Sequence, residues 1–288
     1  MKKVKKTLIV LISIILVISL IYIGIEIKNY FTRYLAHIEP QYEKISIEEI
    51  LEKDTLSDAD YKTLFYQTGL GHVAIDDLME DKSQGIKRIL EFQDNFFKKV
   101  NISYEKITPI TYKESIVDEN GNYAYGTKLA PLENGYIIVA RATYSLGWRH
   151  GHAAIVVDKD NELSLEAAVL GYDSDLFNVN NWRCSPNFMI LKLKDASVEQ
   201  LNEIAQFAEK TLYGVPYKLT SGFFGSKYTK DILPTGTHCS HLAWYPFMEF
   251  GYDLDSNGGW IVTPKDIANS PFLEIVQIYG FDPDELWK

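Results

Sequence analysis

The chain is poor in cysteine, with Cys184 and Cys239 alone among 288 residues. That excludes a disulfide framework and leaves either one bridge or two free thiols. No acidic residue precedes Glu26, and no lysine-rich run follows Lys6. With Lys2, Lys3, Lys5 and Lys6 set aside, 25 basic residues face 39 acidic ones. So acidic a remainder argues against nucleic acid as a partner. The spacings of the common zinc pairs (C-x-x-C, H-x-x-x-H, H-E-x-x-H) are missing, so no metal site and no cofactor are expected. Internal repeats and low-complexity tracts are missing too, and 46% apolar residues with 13% aromatics suffice for a packed core.

What is present begins with Thr7–Ile25, nineteen residues without a charge. As a helix this run is about 28 Å long, matching the hydrocarbon core of a bilayer. Four lysines precede it and no small-residue cleavage signal follows, so an uncleaved anchor is expected over residues 1–28. The lysines hold the N-terminus inside, which puts the bulk of the chain outside the cytoplasm at the cell membrane.

Residues 29–100 read as a membrane-proximal helical region. Ser46 with Glu49 has capping-box spacing, Ser57 is a second start signal, and Gly85 through Phe97 gives a third helix. His72 stands apart from other polar candidates and reads as a structural residue at a helix junction. From 101 to 288 the pattern is that of a domain with strands at 136–140, 151–157, 163–169, 188–193 and 273–278. Asp118–Asn122 and Asn257–Gly259 are turn signals. Ser197 to Leu212 is the clearest helix, with Leu201, Ile204, Ala205, Ala208 and Leu212 on one face. Thr263-Pro264 starts another. Strands grouped with helices around them predict an α+β fold.

The chemistry converges on Thr237-His238-Cys239-Ser240-His241. Cys239 lies where a Gly/Pro-containing segment gives way to a helix, and a helix N-terminus stabilises a thiolate. A buried, inert cysteine is the bland alternative. A nucleophilic thiol needs a base and a group to orient that base. If the strands at 151–157 and 163–169 form a hairpin centred on Lys159, His152 stands directly opposite Glu166, within reach of an imidazole–carboxylate bond. A one-residue slip would separate them onto opposite faces. His150 is expected at the rim. His238 and His241 are rival bases, but neighbours one or two positions along a helix are not expected to face Cys239. Pro246 is expected to kink or shorten that helix.

A histidine in Gly151-His152-Ala153-Ala154-Ile155-Val156-Val157, a glutamate in Ser164-Leu165-Glu166-Ala167-Ala168, the turn Gly214-Val215-Pro216-Tyr217 and a cysteine in His238-Cys239-Ser240-His241-Leu242-Ala243-Trp244 follow in that order. This resembles the circularly permuted branch of the NlpC-type papain-like cysteine hydrolases, the YiiX/YaeF-like proteins, over about residues 125–270. The resemblance implies a permuted papain-like domain with an antiparallel sheet and a nucleophile helix. It implies Cys239 as nucleophile, His152 as base and Glu166 as its orienting group, with the backbone N–H of Cys239 as one oxyanion donor. Tyr217, His150 and Trp244 are the candidate substrate-binding residues, Tyr217 by the same resemblance. The function expected is amide hydrolysis, with cell-wall peptide as substrate because the anchor sets the domain beside the wall. Lipid-ester or acyl-transfer chemistry, which Phe223-Phe224 near the site would suit, and a silent binding domain are the rivals. The sequence leaves the oligomeric state open.

Overall fold

The structure, a computed structural model, describes residues 2–222, 227–230 and 232–287. Phe223 and Phe224 lie outside the described residues. Helix α1 (Lys2–Phe31) carries the apolar run. Within Lys5–Phe31 an 18-residue window has a mean hydropathy of 3.1 and none of it is buried, and the helix is long and apolar enough to cross a membrane.

Four helices follow: α2 (Glu48–Leu51), α3 (Asp58–Thr68), α4 (His72–Met79) and α5 (Lys82–Phe96). Ser57 caps α3 in a reciprocal capping box with Asp60. Ser46 does not cap α2: the N-cap is Ile47, and the Ser46 hydroxyl bonds the Glu48 carboxylate instead. His72 opens α4 and stacks on Tyr61 with centroids 4.0 Å apart.

Beyond them lie two antiparallel sheets. The larger, six-stranded sheet has the order β7-β6-β5-β3-β8-β9. Its strands are β3 (Ile137–Ala140), β5 (His152–Asp158), β6 (Leu163–Glu166), β7 (Asp175–Asn178), β8 (Phe188–Leu193) and β9 (Leu273–Tyr279). The smaller has the order β1-β2-β4, from Asn101–Lys106, Thr111–Val117 and Thr143–Ser145. Three more helices, α6 (Val198–Leu212), α7 (Cys239–Glu249) and α8 (Pro264–Ala268), complete an α+β architecture. α6 and α7 pack on β5 and on each other, and α8 meets β3.

One apolar core runs through all of this. Leu64, Ile75 and Phe92 from the early helices join Ile138, Val156 and Ile190 of the sheet and Ile204 and Leu242 of α6 and α7. The early helices reach the sheet at its β9 edge, where Gly69-Leu70-Gly71 runs beside the strand. Ile278 N–H donates to the Gly69 carbonyl at 2.7 Å, and Gly71 N–H to the Val276 carbonyl at 2.9 Å. That pairing covers an edge that would otherwise be open to other chains. A Cβ on Gly71 would lie 1.9 Å from the Ile275 carbonyl oxygen, so only glycine permits the approach.

Two expectations are corrected here. The β5–β6 hairpin pairs Ile155 with Leu165 and Val156 with Ser164, centring the register on residue 160, and a bulge follows before Asp158. His152 is therefore not directly opposite Glu166. The two are diagonal neighbours on one face, because a shift of two positions preserves the side on which each residue points. Pro246 sits inside α7, which continues to Glu249. The proline therefore does not end the element, and the hydrogen bond it forgoes is the one to the Leu242 carbonyl.

Candidate active site

β5 and β6 supply the first half of the site. Gly151 takes φ +76°, and a Cβ there would approach the Ala140 carbonyl oxygen to 2.3 Å. Glycine thus lets the chain turn tightly into β5, which places His152 beside Ala140 at the end of β3. Glu166 ends β6. The diagonal gap of about 7–8 Å between Cβ atoms is one that long side chains bridge. His152 Nε2 and Glu166 Oε2 are 2.7 Å apart.

Glu166 is buried and fully engaged. Its Oε1 accepts from the Ser164 hydroxyl at 2.8 Å and from the Trp182 indole N–H at 3.0 Å. Burial pushes the carboxyl up, but the bonds from His152, Ser164 and Trp182 outweigh it and hold it below the usual range. The Trp182 ring also stacks on the His152 imidazole, with centroids 5.4 Å apart and planes 11° from parallel. One tryptophan therefore fixes both members of the pair.

α7 supplies the other half. His238 is its N-cap in extended conformation, and the imidazole accepts the His241 backbone N–H at Nδ1. Ser240 Oγ donates to the Val262 carbonyl at 2.8 Å and ties the first turn down. Cys239 is buried at the first helical position, close enough to His152 and His238 for both imidazoles to act on its thiol. Since Nε2 of His152 is taken by Glu166, Nδ1 is the nitrogen left for the thiol. Burial alone would raise the Cys239 thiol. The two imidazoles overcome this and hold it well below its ordinary value. Burial likewise would lower His152, but Cys239 and Glu166 together raise it to about 10. Both shifts favour the thiolate–imidazolium form of the pair.

The nearness of His238 is a correction. As the cap, it lies outside the helix and its ring folds over the first turn. With Nδ1 accepting a backbone N–H, a neutral ring carries its proton on Nε2. That nitrogen is buried and otherwise unpartnered among the described residues. His241, by contrast, is committed elsewhere, with Nδ1 3.0 Å from Thr237 Oγ1 and Nε2 3.1 Å from the Lys227 carbonyl. Burial holds it neutral, with its pKa pushed down to about 4.

His150 stands close enough to feel the Cys239 charge, and burial lowers its pKa. Its Nε2 meets Ser145 Oγ at 3.0 Å and its Nδ1 donates to the Gly151 carbonyl at 2.8 Å. Half-buried Tyr217 also borders Cys239, its hydroxyl pKa raised by burial and by the thiolate. A parallel bridge to Thr237 holds it there. Trp244 is not at the site. It is 1% exposed, and its indole N–H donates to Asp253 at 2.8 Å. It lies among the α7 residues that fill the core, so its assignment to substrate binding is withdrawn. Cys184 is a free, half-buried thiol raised by burial, and no bridge joins it to Cys239.

No family model matches the chain, and no curated protein matches it. Among solved structures the chain is similar to the metalloprotein yiiX from Escherichia coli O157:H7, at a TM-score of 0.40 and 15% sequence identity, over 51% of this chain and 97% of that one. The histidines around Cys239 are engaged within the protein. His150, His152 and His241 are turned to hydroxyl, carboxylate and carbonyl partners. Among the described residues no group of three or more His, Cys, Asp or Glu is arranged to hold an ion.

Proposed function

We propose that the chain is a membrane-anchored cysteine hydrolase of permuted papain-like architecture, cleaving an amide bond in cell-wall peptide outside the cytoplasm. The observation that carries this reading is His152 held between a buried carboxylate and a thiol whose pKa it depresses. The order of base strand, carboxylate strand and nucleophile helix along the chain supports the permuted arrangement. α1 and its four leading lysines support the anchor and its direction.

In this mechanism the Cys239 thiolate attacks the substrate carbonyl carbon. The oxyanion so formed meets the free N–H groups of the first turn of α7 and the Nε2–H of His238. His152 gives its proton to the departing nitrogen as the C–N bond breaks, leaving a thioester on Cys239. A water molecule then attacks the thioester while His152 takes its proton. The C–S bond breaks, and the acid product and the ion pair are restored. Glu166 stays ionised throughout and holds the imidazole in register.

The test has two stages. Iodoacetamide labelling of the Cys184→Ala protein across pH should show a thiol far more reactive at pH 7 than free cysteine, and His152→Ala should abolish the advantage. Equal reactivity in both proteins removes the enzyme reading. Incubation with muropeptides, read by mass spectrometry, should release a free amine and a free acid. Fatty acid released from phospholipid, with muropeptides intact, would overturn the amide substrate.

A further inference from the structure

Four large apolar side chains stand in solvent on two neighbouring loops. Ile107 and Ile110, each 45% exposed, belong to the β1–β2 loop, and Leu146 at 51% and Trp148 at 53% to the turn after β4. The loops form one unit: Leu146 N–H donates to the Ile110 carbonyl at 3.1 Å, and Thr111 Oγ1 lies 2.8 Å from Ser145 Oγ.

This unit lies against α1 where the apolar run ends. A Cβ on Gly147 would come 3.3 Å from Lys28 Cδ and 3.8 Å from Ile25 Cγ2. Lys106, beside Ile107, donates to the Tyr22 hydroxyl at 2.5 Å and pairs with Glu26 at 3.5 Å. The Tyr112 hydroxyl donates to Glu26 at 2.7 Å. On α1 itself Ile23 and Ile27 are each 52% exposed at this level, and exposed Tyr30, Phe31 and Tyr34 follow. Aromatic and basic residues gathered at the end of an apolar helix mark the bilayer interface.

We propose that Ile107, Ile110, Leu146 and Trp148 form a second membrane contact, entering the headgroup–acyl boundary of the leaflet from which α1 emerges. The occupant is the bilayer, because these side chains continue the apolar surface of α1 at the height where it leaves the hydrocarbon. The inference rests on reading α1 as a membrane span. Its consequence is local: Trp148 is two residues from His150, and its ring meets that imidazole edge-on at 5.6 Å. The rim of the Cys239 site is thereby seated at the membrane surface.

The test uses the full chain in nanodiscs built with lipid brominated near the headgroup end of its acyl chains, compared with Trp148→Phe. Trp182, Trp244 and Trp287 are at most 8% exposed, Trp260 is 73% exposed, and all four are common to both proteins, so the difference between the two reports Trp148. Bromolipid should quench the wild-type tryptophan emission, and Trp148→Phe should remove at least half of the quenched fraction. Co-elution with nanodiscs and identical quenched fractions in the two proteins would overturn the contact and leave the anchor standing. Elution free of nanodiscs would overturn both. Protection of Trp148 from aqueous iodide without bromine quenching would assign the patch to a protein partner and also overturn the proposal.

Discussion

Glu166 bonds His152, joins Cys239 in raising that imidazole's pKa, and is in turn held by Trp182 and Ser164. The depressed thiol sets the direction of the pH response. Alkylation of Cys239 persists as pH falls below 8 and drops only as pH passes through the lowered thiol pKa. In His152→Ala the drop moves up toward the ordinary value of about 8.5, so labelling at pH 7 falls by about tenfold or more. Trp182→Phe keeps the stack on His152 but removes a bond to a buried carboxylate. It should cost about 1–3 kcal/mol in thermal or urea unfolding and slow alkylation at pH 7. His241 gives a stability signal of its own. Its folded pKa, about 4, lies below the unfolded value near 6.5, so the unfolded state binds more protons between these limits. Stability therefore falls as pH drops through that window, by on the order of 3 kcal/mol for a fully buried group. His241→Gln should flatten the dependence of melting temperature on pH between 6.5 and 4. At this scale much was legible. Parity along two strands puts His152 and Glu166 on one face whatever even shift the hairpin adopts. Trp182 was not legible, because it comes from a 3-10 turn after β7 and reaches the pair only through tertiary folding.

The elements explain which parts of the pattern could be read and which could not. α6 announces itself by a five-residue apolar face, and its residues are the buried ones. α3 and α8 begin at the start signals Ser57 and Thr263 that the sequence displays, whereas the Ser46–Glu49 spacing does not cap α2. The β1-β2-β4 sheet escapes notice because Asn101–Lys106 and Thr111–Val117 are mostly polar and half-exposed, with no long apolar run. Its third strand arrives from far along the chain, which no local pattern signals. Gly69-Leu70-Gly71 reads as a helix junction and also serves as the strip that closes the β9 edge. Gly71→Ala forces a methyl against the Ile275 carbonyl and should cost about 1–3 kcal/mol, seen as a lower urea midpoint. Amide exchange should rise first at Gly71 and Ile278, whose N–H groups make the hydrogen bonds between the strip and the strand.

Across the whole molecule, α1 and the part that carries Cys239 are joined by buried charge. Arg149 makes paired bonds of 2.6 Å to Glu114, a carboxylate with no solvent exposure, and donates at 3.1 Å to the Thr32 carbonyl just past α1. His37 bonds the Pro186 carbonyl at 2.6 Å, and Ile38 N–H donates to the Gly280 carbonyl at 3.1 Å, so the chain beyond the helix is fastened at once. Arg149→Met strands the Glu114 carboxylate and should cost about 3–5 kcal/mol, with a lower melting temperature in nanodiscs. Adding Glu114→Met should recover most of the loss, because the two apolar side chains then fill the same space. A tether of loose chain would let a catalytic head sweep a hemisphere many tens of ångströms across. The Arg149 strut forbids that. With α1 in a bilayer, the thiolate patrols a plane at one fixed height, and lateral diffusion becomes its means of search. For the hydrolase proposed above, only bonds presented at that height are within reach, so the length of the strut is itself a filter on substrate.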